Sequence, residues 1–158
     1  MGRILLGLLI IVLISCDGGL NPEIERNAYI TGKIVFVSPR DKFPPKDSLK
    51  DLRVVCFKDY PPKNIIEDVL TGRAYFTETP LSYDLDTVPF QIKITDPPVE
   101  IKYIAAAQNY GTFLQWRVIG VYRTNQDTIS SIKVEIGKKY EIEIQVDWEK
   151  IPYQPFGF

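Results

Sequence analysis

Beyond Tyr29, apolar and polar residues alternate with a period of two along much of the chain. Ile30, Gly32, Ile34 and Phe36 stand against Tyr29, Thr31, Lys33 and Val35. Val88, Phe90, Ile92 and Ile94 interleave with Pro89, Gln91, Lys93 and Thr95, and Ile132, Val134 and Ile136 with Lys133 and Glu135. The cleanest run sets Ile142, Ile144, Val146 and Trp148 against Glu141, Glu143, Gln145 and Asp147. Side chains along a strand point to opposite faces in turn, so each run predicts a strand with one dry and one wet face. Residues 52–58 (LRVVCFK), 101–107 (IKYIAAA) and 114–123 (LQWRVIGVYR) are apolar at successive positions. They predict strands in the middle of the sheets, with no inward face that can be read from pattern alone.

Strong breakers separate these runs: Pro44-Pro45, Pro61-Pro62, Pro97-Pro98, Asn109-Tyr-Gly111 and Gly137. Strands at this spacing predict an all-β fold, a seven- to eight-stranded antiparallel Greek-key β-sandwich. Ile65–Leu70 predicts a turn or so of helix, too short to stand alone, and residues 74–77 an edge strand. A closed membrane barrel is the structural rival, but the prolines and short strands favour the sandwich. The terminal PFGF is then expected to fold over the core or an interface. About 130 residues can bury a stable core without disulfides.

The N-terminus has a different pattern. Arg3 is followed by eleven uncharged residues, 4–14, and then by Ser15 and Cys16. As a helix that core rises only ~16 Å, about half of a hydrocarbon layer of roughly 30 Å, so it predicts an export leader and not a span. Leu6 stands where a myristoylation motif wants Ser or Thr. Leu13-Ile14-Ser15-Cys16 resembles the lipobox of bacterial lipoprotein signal peptides. That likeness implies lipidation of Cys16, cleavage just before it, and attachment to the inner or outer membrane of a bacterial cell envelope. Several acyl chains make a durable anchor where one does not. The expected organisation is a leader at 1–15, the lipidated cysteine with a Gly- and Pro-containing tether at 16–28, and a sandwich domain at 29–158. The eleven residues Asp17 to Asn27 reach at most ~40 Å when extended, which keeps the domain near its membrane.

Charge and composition narrow the function. Without the leader there are 18 basic against 20 acidic groups, a net charge of −2. That balance supplies no field for nucleic acid. The chain contains no histidine, which removes the usual base for a serine or cysteine nucleophile. With Cys16 lipidated, Cys56 has no partner, and its place between Val55 and Phe57 predicts a buried core thiol. No histidine and one spare cysteine leave no zinc ligand set, and Asp84-Leu-Asp86 with Asp96 and Asp127 falls short of a calcium loop. No cofactor is expected.

The segments Ile30-Thr-Gly-Lys-Ile34, Val54-Val-Cys-Phe57 and Tyr103-Ile-Ala-Ala-Ala107 are similar to strands of transthyretin-like and carboxypeptidase-regulatory-like sandwiches. Val54-Val-Cys-Phe-Lys58, Tyr60-Pro-Pro62 and Gln115-Trp-Arg-Val-Ile-Gly-Val-Tyr122 resemble a group of bacterial lipoproteins with no assigned activity. The likeness implies the architecture and no reaction. The hydroxyisourate hydrolases of the broader class depend on histidines and a C-terminal motif that this chain lacks. The expectation is a non-catalytic binding or structural module, with an envelope protein or glycan as partner. Two alternatives stand beside it: a carbohydrate-acting enzyme using carboxylates such as Asp84 and Asp86, and a carrier of a small apolar ligand in the sandwich interior. Exposed aromatic rings would serve binding, and the loop aromatics Tyr60, Tyr83, Tyr110 and Phe113 are the candidates.

Overall fold

A computed structural model describes residues 26–125 and 128–156. The leader, Cys16 and most of the tether therefore lie outside the described residues, as does Asp127. The elements run β1 (Ala28–Phe36), β2 (Asp51–Phe57), α1 (Ile65–Leu70), β3 (Ala74–Phe76), β4 (Thr87–Ile94), β5 (Val99–Ile101), β6 (Tyr103–Asn109), β7 (Trp116–Val121), β8 (Arg123–Asn125), β9 (Thr128–Ile129), β10 (Ile132–Val134) and β11 (Lys139–Val146). Seven strands make two layers, β11-β1-β4 and β3-β2-β6-β7, while β10-β5 and β8-β9 are small two-stranded ribbons. The fold is an all-β sandwich. No described helix is long and apolar enough to cross a membrane.

The three-stranded layer follows the alternation in the sequence. Val88, Phe90, Ile92 and Ile94 of β4 are buried, and the residues between them are exposed. Ile142, Ile144 and Val146 of β11 are buried between exposed Glu141, Glu143 and Gln145. The outer face is polar and carries the Lys33–Glu143 ion pair at 3.2 Å. One pairing departs from the expected antiparallel pattern. β1 runs antiparallel to β4 but parallel to β11, with Tyr29 opposite Lys139 and Phe36 opposite Val146. No short turn joins β1 to β11, and parallel neighbours need only a long crossover. Here nearly the whole domain serves as that crossover.

The four-stranded layer is buried on both faces. Leu52, Val54, Cys56, Ile104, Ala106 and Ile119 face the other sheet and pack with its inward residues. Val55, Phe57, Tyr103, Ala105, Ala107 and Val118 face outward into a second apolar cluster. Ile65 and Val69 of α1, Trp116, Ile129 and Phe156 cover that cluster. The register of β6 against β7 slips between Ala106 and Ala107, so Ala106 pairs with Gly120 and Ala107 with Val118. Ile119 is the extra residue of this bulge. It resets the phase of β7: Ile119 points inward and Val121 joins Val118 on the outer side. A Cβ on Gly120 would sit 2.6 Å from the Gln145 carbonyl oxygen and 2.8 Å from a Val146 methyl. Only glycine lets β7 come this close to β11.

Local chemistry sets the ends of the short elements. The Asn64 side chain accepts hydrogen bonds from the backbone N–H groups of Ile66 at 2.9 Å and Glu67 at 3.2 Å, capping α1. Glu67 and Asp68 suit its first turn, and Gly72 at φ 69° ends it. Buried Asp68 accepts from the Lys63 backbone N–H and from the Arg73 guanidinium, both at 3.0 Å, pinning the helix to the start of β3. Ile136, expected to point inward with Ile132 and Val134, is instead exposed. The strand has ended at Val134, and Ile136 enters a turn closed by Lys138 N–H to the Glu135 carbonyl at 3.3 Å, with Gly137 at φ 69°. The tail after β11 crosses to the edge of β7. There the Gln154 side chain accepts from Val118 N–H at 2.7 Å and donates to Val118 C=O at 2.9 Å.

An ion pair ties the two layers at one end. Lys58, just past β2, pairs with Asp96, just past β4, at 2.9 Å, and β4 ends at Ile94 opposite Ala28. At the other end, Lys50 N–H donates to Asn109 C=O at 2.9 Å and Gln108 donates to Ser48 C=O at 3.1 Å. The chain thus enters the domain at the end holding Phe57 and Tyr103. The segment after Asn109 lies about 20 Å away along β6, at the opposite end.

Candidate functional site

The outer face of the four-stranded layer is only partly covered, and an apolar groove runs along the uncovered part. The helix α1 is apolar at Ile65, Ile66, Val69 and Leu70. At 100° per residue, Ile65 and Val69 share one line and Ile66 and Leu70 another, displaced by about 100°. The first line seals the second core. The second line is left at the surface, with Leu70 77% exposed. Facing it, the loop after β6 presents Phe113 at 69% and Leu114 at 72% exposure. Leu70 and Phe113, together with Val55, Val69, Phe76 and Trp116, line a cleft of about 300 Å³, and Leu114 lines the cleft that adjoins it. Asp51 and Arg53 line it too, with Arg53 Nε 2.9 Å from the Asp51 carboxylate and an Nη donating to Thr77 C=O at 2.7 Å. The pair neutralises itself, and the cleft is predominantly apolar.

The cleft continues around Trp116 into a second one of about 280 Å³ that shares Ile65 and Ile66 and adds Tyr110, Arg117, Gln154 and Phe156. The loop carrying Tyr110 and Phe113 is held by its own polar groups. Asn109 donates to Thr112 C=O at 2.7 Å, Thr112 N–H donates to Gln115 at 2.7 Å, and Trp116 Nε1 donates to Phe113 C=O at 2.8 Å. The rings and Leu114 are therefore presented from a fixed loop.

Of the four aromatics singled out from sequence, the structure brings Tyr110 and Phe113 to this site and separates the other two. Tyr60 is half exposed at the far end, its ring 5.2 Å from that of Tyr103. Tyr83 packs on the inter-sheet core, and its carbonyl accepts from Arg40 at 3.0 Å. Sequence reasoning missed Leu70, Phe76 and Leu114. Leu70 carried a signal, since four apolar residues among the six of α1 form a stripe too wide to be wholly buried. Leu114 was assigned to a strand, but the strand begins at Trp116.

The other candidate chemistry lies elsewhere. Asp84 pairs with Lys46 at 3.3 Å and Asp86 with Arg40 at 2.6 Å; both carboxylates are well exposed, and neither lines the groove. Asp96 is the partner of Lys58. Among the described residues no three His, Cys, Asp or Glu side chains cluster as metal ligands. Cys56 is fully buried, and burial pushes its thiol pKa well above the ordinary value. The Tyr103 phenol is likewise raised, first by burial and then by nearby Tyr60. Comparison with protein-family models, with curated proteins and with solved structures found no match.

Proposed function

We propose that this chain is a lipid-anchored, non-catalytic binding module of the bacterial cell envelope, and that the groove between α1 and the loop after β6 is its binding surface. The observation that carries the reading is the exposure of Leu70 and Phe113 around one cleft and of Leu114 in the cleft that adjoins it. Scattered surface leucines are ordinary, but large apolar side chains gathered on fixed backbone mark interaction sites. The anchor rests on Leu13-Ile14-Ser15-Cys16, and the likeness to transthyretin-like sandwiches is supported by the two-layer all-β architecture. The loop carrying Phe113 and Leu114, at one end of the groove, lies opposite the point where the chain enters the domain.

The two halves of the proposal are tested separately. Cys16→Ser, or globomycin treatment, should block processing and move the protein out of the membrane fraction; unchanged fractionation would refute the anchor. Chemical crosslinking in native membranes should yield a partner adduct that is lost in a Phe113→Ser/Leu114→Ser variant. An adduct of equal yield in that variant would place binding elsewhere.

A further inference from the structure

The second cleft is lined by an arginine, Arg117. Arg40, Arg53 and Arg73 are each held by carboxylates at 2.6 to 3.0 Å. Arg117 has no carboxylate partner among the described residues. Its Nε donates to Gln108 Oε1 at 2.8 Å, and its guanidinium lies over the Tyr110 ring, 5.5 Å from the centroid. Gln108 is itself fully buried and fixed by its bond to Ser48 C=O. One edge of the guanidinium is thus anchored, and the two Nη groups remain for another acceptor. Arg117 lines both the cleft beside Trp116 and a neighbouring one bounded by Ile151, Pro152 and Tyr153. A planar guanidinium held at Nε and open at both Nη groups matches a carboxylate, with two parallel hydrogen bonds. Tyr110, Leu114 and Trp116 line the first of these clefts beside it.

We infer that the groove binds a protein segment that presents an aspartate or glutamate beside apolar side chains, the carboxylate pairing with Arg117 and the apolar residues lying against Leu114, Phe113 and Leu70. This rests on the groove being the binding surface. Charge complementarity names the acid, and the apolar lining names its neighbours. Anionic lipid offers the same charge, but one such cation on a domain of net charge −2 supplies no field to hold a membrane surface.

The probes are two peptides, acetyl-Leu-Phe-Glu-Leu-amide and its glutamine counterpart. They are titrated into ¹⁵N-labelled protein purified in mild-detergent micelles, and the Trp116 Nε1–H and Arg117 Nε–H resonances are followed. A charge-assisted pair favours the glutamate peptide by roughly tenfold. The preference should vanish in Arg117→Gln and survive in part in Arg117→Lys, which keeps the charge without the fork. Equal affinity of the two peptides for the wild type overturns the inference whatever the variants do, as does a preference that persists in Arg117→Gln. In either case the groove stands if Phe113→Ser/Leu114→Ser weakens both peptides. If neither peptide moves the Trp116 resonance, or the double variant binds both as the wild type does, the groove itself is not the binding surface. Arg117-dependent binding to phosphatidylglycerol vesicles in place of the glutamate peptide would assign the site to lipid and overturn the protein partner.

Discussion

Gln154 is the side chain on which the C-terminal wall of the groove depends. Its amide bridges the edge of β7, accepting from Val118 N–H at 2.7 Å and donating to the carbonyls of Val118 and Pro152, both at 2.9 Å. Val118 is fully buried, so Gln154→Ala strands one backbone donor and one acceptor. Each such group costs about 1–3 kcal/mol when water cannot replace the partner. Partial rehydration as the tail loosens brings the expected net loss to about 2–3 kcal/mol. In a domain of this size that lowers Tm by roughly 6–12 °C. Urea denaturation reads the loss as a lower midpoint at unchanged slope, and hydrogen exchange should show the Val118 amide losing protection. Gln154→Glu separates hydrogen bonding from packing: it keeps an acceptor for Val118 N–H but turns a carboxylate toward Val118 C=O. At neutral pH it should be at least as damaging as alanine. A loss under about 0.5 kcal/mol, with Val118 protection intact, would refute the bridging role of Gln154.

Three further outcomes are expected. Gly120→Ala should destabilise the sandwich by about 1–3 kcal/mol, because the added methyl meets the backbone of β11 and the two layers must part; a neutral result in a denaturant melt would refute the close approach. Cys56 should resist thiol reagents at pH 8 in the native Cys16→Ser protein and react fully in denaturant, its thiol being fully buried and its pKa raised; rapid native labelling would contradict the packing. Asp147 is held below the ordinary carboxylate range, first by the Ser38 hydroxyl at 2.8 Å and then by the Glu149 backbone N–H. A depressed folded-state pKa adds stability above the unfolded value and loses it as pH falls through the folded one, so that contribution fades below about pH 4. Asp147→Asn should flatten this part of the stability–pH curve, and an unaltered slope would show that the carboxylate does not contribute.

How much of this was legible depends on what each face of a strand touches. β4 and β11 could be read residue by residue because one face is wet, and water enforces the alternation. β6 is buried at all seven positions, so nothing in its composition separates the inner from the outer face. β7 adds a bulge at Ile119, and no period survives an inserted residue. The helix was legible at Ile65–Leu70, the bounds the structure gives it between the Asn64 cap and Gly72. The groove was half legible. A search for loop aromatics found Tyr110 and Phe113 but also took in Tyr60 and Tyr83, whose rings pack on neighbours. The aliphatic Leu70 and Leu114 carry no such flag. Their exposure follows from where α1 docks and where β7 begins, and both are tertiary facts. That Arg117 has no carboxylate partner among the described residues was equally hidden, because it shows only once the neighbouring side chains have been placed.

The parallel pairing of β1 with β11 fixes when this domain can exist. The first strand sits between β4 and a partner about 110 residues further along the chain. Closing so long a loop is entropically costly and makes folding slow. While Lys139–Val146 is unsynthesised, β1 has one exposed edge and the three-stranded layer is a bare pair. On the proposed export route, where the chain crosses a membrane as a thread, this order would keep the polypeptide pliable until its last strand has been made. Completion of the sheet would then be the event that locks the domain on the far side of that route.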